Sequence, residues 1–166
     1  MSRPMRLLRH LIEFRWRLRA RFGPAVLDRI EAAVRSAEAT HAGELRVVIE
    51  TDLDAWSILA GKSPRARALE VFAACHVWDT EHNNGVLLYV LFADRAVEIV
   101  ADRGFNPLVT AAEWGEVCKA MESEFRAGRW EPGTLAGVAA AAKLLVRHFP
   151  GSGSDGNELQ DRPLLL

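Results

Sequence analysis

The sequence predicts an α/β fold: a three-layer-like sandwich in which a small mixed central sheet with an antiparallel hairpin carries helices on both faces. Three observations lead there. Five stretches repeat apolar residues at spacings of three and four, and residues 44–51 alternate at a spacing of two. Residues 85–92 are almost wholly apolar, and after a short turn the chain returns as 96–102.

The first element is an arm, residues 1–22. Leu7, Leu11, Phe14, Leu18 and Phe22 recur at helical spacing while Arg3, Arg6, His10, Glu13 and Arg17 face elsewhere, which predicts a basic amphipathic helix. Gly23-Pro24 ends it, and proline at a first helical position opens the next helix, whose inner stripe is Leu27, Ile30, Val34 and Ala37. The strand over 44–51 puts Leu45, Val47 and Ile49 on one face and Arg46, Val48 and Glu50 on the other. Ser63-Pro64 caps a further helix, expected to reach about Trp78 with Leu69, Phe72, Ala73 and His76 inside.

A strand apolar on both faces is covered on both faces, so 85–92 belongs at the centre of the sheet. The turn Ala93-Asp94-Arg95 makes the strand after it an antiparallel neighbour. Thr110 and Glu113 form a capping box for a helix with the stripe Trp114, Val117, Cys118, Met121 and Phe125, which Gly128 stops. The last helix is expected from about Gly133 to His148, burying Leu135, Val138, Ala142 and Leu145. Residues 151–166, rich in Gly, Ser and Asp and closing on Pro163 and leucines, show no period and read as a disordered tail.

Composition narrows function by exclusion. With 49% hydrophobic and 26% charged residues, the chain has the mix of a folded globular protein. Cys75 and Cys118 lie on or beside helical stripes, so nothing calls for an oxidising compartment. Arginines interrupt every apolar run before Phe22, and the longest later run is far below the roughly 20 residues of a membrane span, so a cytoplasmic protein is expected. Net charge is −1, yet it divides into +6 over residues 1–22 and −7 over the remainder. An arm of that sign seeks an acidic partner: a membrane surface, nucleic acid or the domain's own acidic face.

Common catalytic patterns are missing. There is no Gly-x-Ser-x-Gly, no glycine-rich nucleotide loop and no paired Cys/His spacing, and Glu81 and Glu124 stand where a cysteine-based phosphatase needs arginine. Asp52-Leu53-Asp54 follows a strand as in aspartate phosphotransferases, but no further segment supplies the lysine and acidic pair such enzymes require, so a polar loop is expected.

Polar residues do gather at one place. Asp79, Glu81, His82, Asn83 and Asn84 precede the central strand, while Asp102 and Arg103 end its antiparallel partner, and a hairpin brings those two positions to the same edge. Carboxylate and amide oxygens suit Ca²⁺ or Mg²⁺. The expected metal ligands are Asp79 and Asp102, and the expected ligand-binding residues are Glu81, Asn83, Asn84 and Arg103. The competing reading is turn chemistry at 83–85 and a solvated Asp102–Arg103 pair. An EF-hand is excluded, because its glycine would fall one residue before Gly85 and its bidentate glutamate at Val90.

Three sequence runs together resemble one known family. They are Gly43-Glu44-Leu45-Arg46, then Trp78-Asp79-Thr80-Glu81-His82-Asn83-Asn84-Gly85-Val86, then Val97-Glu98-Ile99-Val100-Ala101-Asp102-Arg103-Gly104 preceded by Asp94-Arg95. They resemble the TPM domain in its short bacterial cytoplasmic form, over about residues 27–149. The division implied is an arm at 1–22, a TPM-like domain at 23–150 and the tail at 151–166. Resemblance implies an α/β sandwich, and family roles that include phosphatases, Ca²⁺ binders, photosystem II repair factors in plants and cyanobacteria, and bacterial companions of LemA-family membrane proteins. The chain departs from exported relatives in having Asp102-Arg103-Gly104 where they carry a glycine-rich segment. Two functions follow as expectations. The first is a non-catalytic binding or accessory module holding a divalent cation or a membrane-associated protein partner at the polar edge. The alternative is a metal-dependent phosphatase of phosphomonoesters, with Asp79 and Asp102 on the ion and Arg103 on the phosphate.

Overall fold

The structure, a computed structural model, describes residues 3–12, 15–151 and 157–166. Its elements are α1 (Arg3–Ile12), α2 (Arg15–Arg21), α3 (Pro24–Glu38), β1 (Glu44–Glu50), α4 (Ala55–Leu59), α5 (Pro64–Ala74), β2 (Gly85–Leu91) and β3 (Ala96–Ala101). A 3-10 turn (Arg103–Phe105), α6 (Ala111–Arg126), α7 (Trp130–His148) and β4 (Leu164–Leu165) complete it. The strands form one mixed sheet in the order β3-β2-β1-β4, with β2 parallel to β1 and antiparallel to β3. The hairpin is as expected, with Val86 opposite Ala101 and Leu91 opposite Ala96.

Alternation along β1 and β2 divides the core in two. Leu45, Val47, Ile49, Val86, Leu88 and Val90 pack with Ile30 of α3, Met121 and Phe125 of α6 and Leu145 of α7. Val48, Leu87, Tyr89 and Leu91 pack on the other face with Ile58 of α4 and Ala68 and Val71 of α5. The α6 capping box forms as the sequence predicts, with Thr110 and Glu113 each bonding the other's backbone. Gly85 stands where the chain before β2 crosses the strand closely, since a β-carbon there would overlap the Val77 carbonyl.

Several expectations are corrected. The helix from Ser63 ends at Ala74 rather than Trp78, and its buried line is Ala68 and Val71, whereas Leu69, Ala73 and His76 are exposed. Both phases of that segment are apolar, and docking of Val71 against the sheet chooses between them. The last helix starts three residues earlier than Gly133, with Trp130 stacked on Phe125. Asp54 begins a helix instead of lying in a loop, because its carboxylate accepts from the Ser57 N–H at 3.0 Å.

The C-terminal reading changes most. Residues 152–156 lie outside the described residues, but 157–166 are ordered against the sheet, contrary to the tail expectation. β4 runs parallel to β1, pairing Val48 with Leu164 and Ile49 with Leu165. Arg46 holds the approach, donating to the Gln160 carbonyl at 2.5 Å and the Arg162 carbonyl at 2.7 Å. Leu159 is buried in the second core. Arg46 is therefore buried under this segment, and Glu50 is buried against Arg67 of α5 and Tyr89, rather than facing water.

The arm docks on the domain. Leu18 and Phe22 enter the first core and Leu7 packs against the second, while Leu11 is exposed. Phe14 and Glu13 lie outside the described residues. Among the described residues, no helix is long and apolar enough to cross a membrane.

Candidate functional site

The hairpin brings the two predicted segments together at the start of β2 and the end of β3. The Asp102 N–H donates to the Gly85 carbonyl at 2.8 Å, the Gly104 N–H to the Asn83 carbonyl at 3.1 Å, and Arg103 Nε to Asn83 Oδ1 at 2.7 Å. Gly104 is required there, because a β-carbon would overlap the Asn83 carbonyl. Asn83 adopts φ 53°, the left-handed conformation that asparagine tolerates better than most residues. Asp102 is buried and caps the 3-10 turn, its Oδ1 accepting from the Arg103 N–H at 2.7 Å. Asp102 and Arg103 thus do not form a side-chain ion pair; the guanidinium turns to Asn83.

The remaining predicted residues are placed differently. Asn84 is buried; its N–H donates to Thr80 Oγ1 at 3.1 Å, and its amide donates to the Ala42 carbonyl ahead of β1. Glu81 is exposed, and its backbone N–H is accepted by the Glu158 carboxylate of the C-terminal segment at 3.0 Å. Asp79 is exposed, with its backbone N–H bonded to His76, and no hydrogen bond or ion pair joins it to Asp102 among the described residues.

What marks this end of the sheet is polar atoms without partners. Buried side-chain atoms lacking a hydrogen bond among the described residues are Asp102 Oδ2, Asn84 Oδ1, both ring nitrogens of His41 and His148 Nε2, apart from one Arg6 nitrogen that faces Asp94 at ion-pair distance. His41 immediately precedes the approach to β1 and pairs through its backbone with Pro150, two residues beyond His148. These atoms therefore collect where β1 and β2 begin and β3 ends. Burial holds the His41 imidazole below its ordinary pKa, outweighing the backbone of Gly43 and of His41 itself, which favours the protonated ring. His41 and His148 were not legible as site residues, because they are separated by most of the chain and each closes a different helix.

As a cation site the donor set fits in kind, since Asp102 Oδ2 and Asn84 Oδ1 are hard oxygens without partners. In number it is thin: among the described residues no three His, Cys, Asp or Glu side chains group closely enough to hold a metal. Asn84 stands just before β2 and Asp102 just after β3, so a ligand using both sits off the strand ends.

At the other end of the sheet, among the described residues, Glu50, Tyr89 and Asp94 are all paired. Tyr89 Oη donates to Glu50 Oε2 at 2.6 Å, and Arg67 grips the same carboxylate through Nη2 at 2.8 Å and Nε at 2.9 Å. Burial and the Glu50 carboxylate raise the Tyr89 hydroxyl far above its ordinary range. Asp94, in the hairpin turn, accepts from Arg6 Nε at 2.8 Å and lies 3.1 Å from His10 Nε2. His10 Nδ1 accepts the Leu53 N–H at 2.9 Å, which leaves the ring proton on Nε2, directed at Asp94. Burial alone would raise the Asp94 carboxyl; the hydrogen bonds from His10 and Arg6 outweigh it and hold the group below its ordinary value.

This arrangement can be set against known proteins. The profile of the TPM domain matches residues 20–144, three quarters of the chain. The chain belongs to the TPM domain family. Its structure is similar to the NMR structure of the BA42 protein from the psychrophilic bacterium Bizionia argentinensis, at 28% identity and a TM-score of 0.74, over 86% of this chain and 93% of that one. The N-terminal domain of a P. gingivalis protein shares the fold at 21% identity and a TM-score of 0.62, over 78% and 81% of the two chains. An N-terminal domain from Corynebacterium glutamicum does so at 16% and 0.55, over 82% and 78%. Among curated proteins, none matches. Within this TPM domain the matched region includes Asp79 to Gly104 and His41, whereas His148 and the C-terminal segment that covers β1 lie outside it.

Proposed function

We propose that this TPM domain is a non-catalytic binding or accessory module whose sheet end, at Asn84 and Asp102, receives a divalent cation, Ca²⁺ or Mg²⁺, or a polar segment of a membrane-associated protein partner. The observation that supports it is that, apart from an Arg6 nitrogen ion-paired with Asp94, the buried side-chain atoms without hydrogen-bond partners among the described residues belong to Asn84, Asp102, His41 and His148. Such atoms carry an uncompensated desolvation cost of about 1–3 kcal/mol each, which a ligand or ordered water relieves. Asp102 is the charged member and Asn84 the neutral one; Arg103, fixed by Asn83, is the cationic neighbour that favours an acidic partner. The protein acts in the cytoplasm at the periphery of the inner membrane, with the basic arm as its membrane-side contact.

The phosphatase alternative finds less support. Asp79 has no link to Asp102, Arg103 is engaged by Asn83, and the Asp52–Asp54 pair is divided between a strand exit and a helix cap. The test is a titration of the isotopically labelled protein with Ca²⁺ and Mg²⁺, following the amides of Asn84, Asp102 and Arg103. Saturable shifts there, lost in Asp102→Asn, are expected; flat amides up to millimolar cation would remove the cation from the proposal.

A further inference from the structure

A helix packed on a domain ordinarily turns its polar residues to water. In α1 the arrangement is reversed. Its inward residues include Arg6 and His10, engaged with Asp94, while Met5, Leu8 and Leu11 face outward, and on α2 Trp16 does the same, all between 57% and 66% exposed. α4, which packs on α1, adds Trp56 at 82% and Leu59 at 52%. α1 has thus turned Arg6 and His10 to the domain and left the row of Met5, Leu8 and Leu11 uncovered, although Leu7, Leu18 and Phe22 pack inward.

Positive charge surrounds that apolar face. Arg9 lies on α1 beside it, and Arg15, Arg17, Arg19 and Arg21 are exposed along α2. Arg95 of the hairpin turn lines two neighbouring hollows, one of about 370 Å³ shared with Trp16, Arg17, Arg21 and Trp130, the other shared with Arg9, Asp94 and Arg126. Asp94, which lines the second hollow, is already occupied on both oxygens by Arg6 and His10, and Arg15 has Asp52 in range. No ion pair among the described residues involves Arg9, Arg19, Arg21 or Arg95.

We propose that the outward face of α1 and α2 docks on the surface of an anionic lipid bilayer, Met5, Leu8, Leu11 and Trp16 entering the boundary between headgroups and acyl chains while the arginines meet lipid phosphates. The reading deepens the peripheral placement given above, and it stands whether or not the sheet end binds a cation. Nucleic acid would use the arginines but offers nothing to a row of aliphatic side chains. A protein groove would bury the aliphatic row but needs no fringe of arginines in such excess. A flat apolar stripe edged by cations is the pattern that suits a bilayer surface, where apolar insertion and electrostatic attraction act together.

The test is sedimentation of the full chain with vesicles of phosphatidylcholine alone and of phosphatidylcholine mixed with phosphatidylglycerol. Binding to the anionic vesicles only, released by salt, is expected. Leu8→Asp with Leu11→Asp should lower the partition coefficient at least about tenfold, and Arg19→Ala or Arg21→Ala about fivefold each, the figure that corresponds to about 1 kcal/mol per surface arginine. These positions are exposed, and unchanged melting of the arginine variants shows that the fold is intact even if the double aspartate variant fails to fold. Asp102→Asn should sediment like the parent, which separates this result from the fate of the cation site. Absence of sedimentation with anionic vesicles, or binding unaffected by these substitutions, overturns the proposal. So does capture by inorganic phosphate or single-stranded DNA without capture by vesicles.

Discussion

The two ends of the central sheet use the same residue types to opposite effect. At the end marked by Glu50 and Asp94, each buried carboxylate is matched by donors from the chain itself: Tyr89 and Arg67 on one, Arg6 and His10 on the other. At the end marked by Asn84 and Asp102, Asp102 Oδ1 accepts from the Arg103 N–H and the Asn84 amide nitrogen donates to the Ala42 carbonyl, while Asp102 Oδ2 and Asn84 Oδ1 are buried without a partner. A closed polar network specifies a packing arrangement, whereas an open one leaves room for something the chain does not supply. The difference teaches that burial of charge alone does not locate a site; the completeness of the hydrogen bonding does. α1 follows the same logic, since Arg6 and His10 are spent at the closed end while Met5, Leu8 and Leu11 remain available.

The largest expected effect comes from opening the closed end. Glu50→Ala removes the one acceptor that Tyr89 and Arg67 share, leaving a buried hydroxyl and a partly buried guanidinium without it. Loss of one member of a buried pair costs about 3 kcal/mol, seen as a lower midpoint in urea unfolding. A change under about 1 kcal/mol would show that the two ends differ less than their geometry says.

How far the sequence reveals this contrast depends on range. The hairpin was legible because 85–92 and its return are adjacent, so the sequence alone puts Asn83, Asn84, Asp102 and Arg103 at one edge. Asp79 was grouped with them on the same reasoning, yet the loop between it and β2 lets it stay in solvent. β4 was hidden for the opposite reason. Its two residues carry no periodicity of their own and are fixed by Arg46, more than a hundred residues away, through main-chain carbonyls that any residue type presents. A signal existed in Glu44, Arg46 and Glu50 themselves, charged residues in a strand whose other positions are apolar. The outward apolar face of α1 was likewise obscured. Helical spacing finds Leu7 and Leu11 equally apolar and says nothing of the His10–Asp94 and His10–Leu53 bonds that turn one inward and the other out.

A second measurement sharpens the comparison through pH. Glu38, at the end of α3, accepts the Leu45 N–H at 2.9 Å on the approach to the open end, and burial together with nearby Glu44 and Asp161 pushes its carboxyl up to about 8, against an ordinary 4.5. The folded chain therefore keeps a proton that the unfolded chain releases, so stability from this group is full below 4.5, declines as pH rises, and is gone above about 8. Glu38→Gln keeps the acceptor without the charge. It is expected to gain about 1–2 kcal/mol over the parent in urea unfolding at alkaline pH, with little difference at mildly acid pH. Equal slopes for the two proteins across that window would mean that Glu38 titrates normally.

The smallest expected effect is the most discriminating. Asp102→Ala in cation-free buffer loses the cap on the 3-10 turn, worth about 1 kcal/mol, but also removes an oxygen that was buried without a partner, so the two changes partly cancel. The net cost should stay below about 1 kcal/mol, well under that of Glu50→Ala, although both substitutions delete a buried carboxylate. Adding Ca²⁺ or Mg²⁺ should then stabilise the parent and leave the variant where it was, because a ligand bound only to the folded state adds stability in proportion to the logarithm of its concentration. Were Asp102→Ala as damaging as Glu50→Ala without any cation present, Asp102 would belong to a closed network after all, and the open end would have to be sought around His41 and His148.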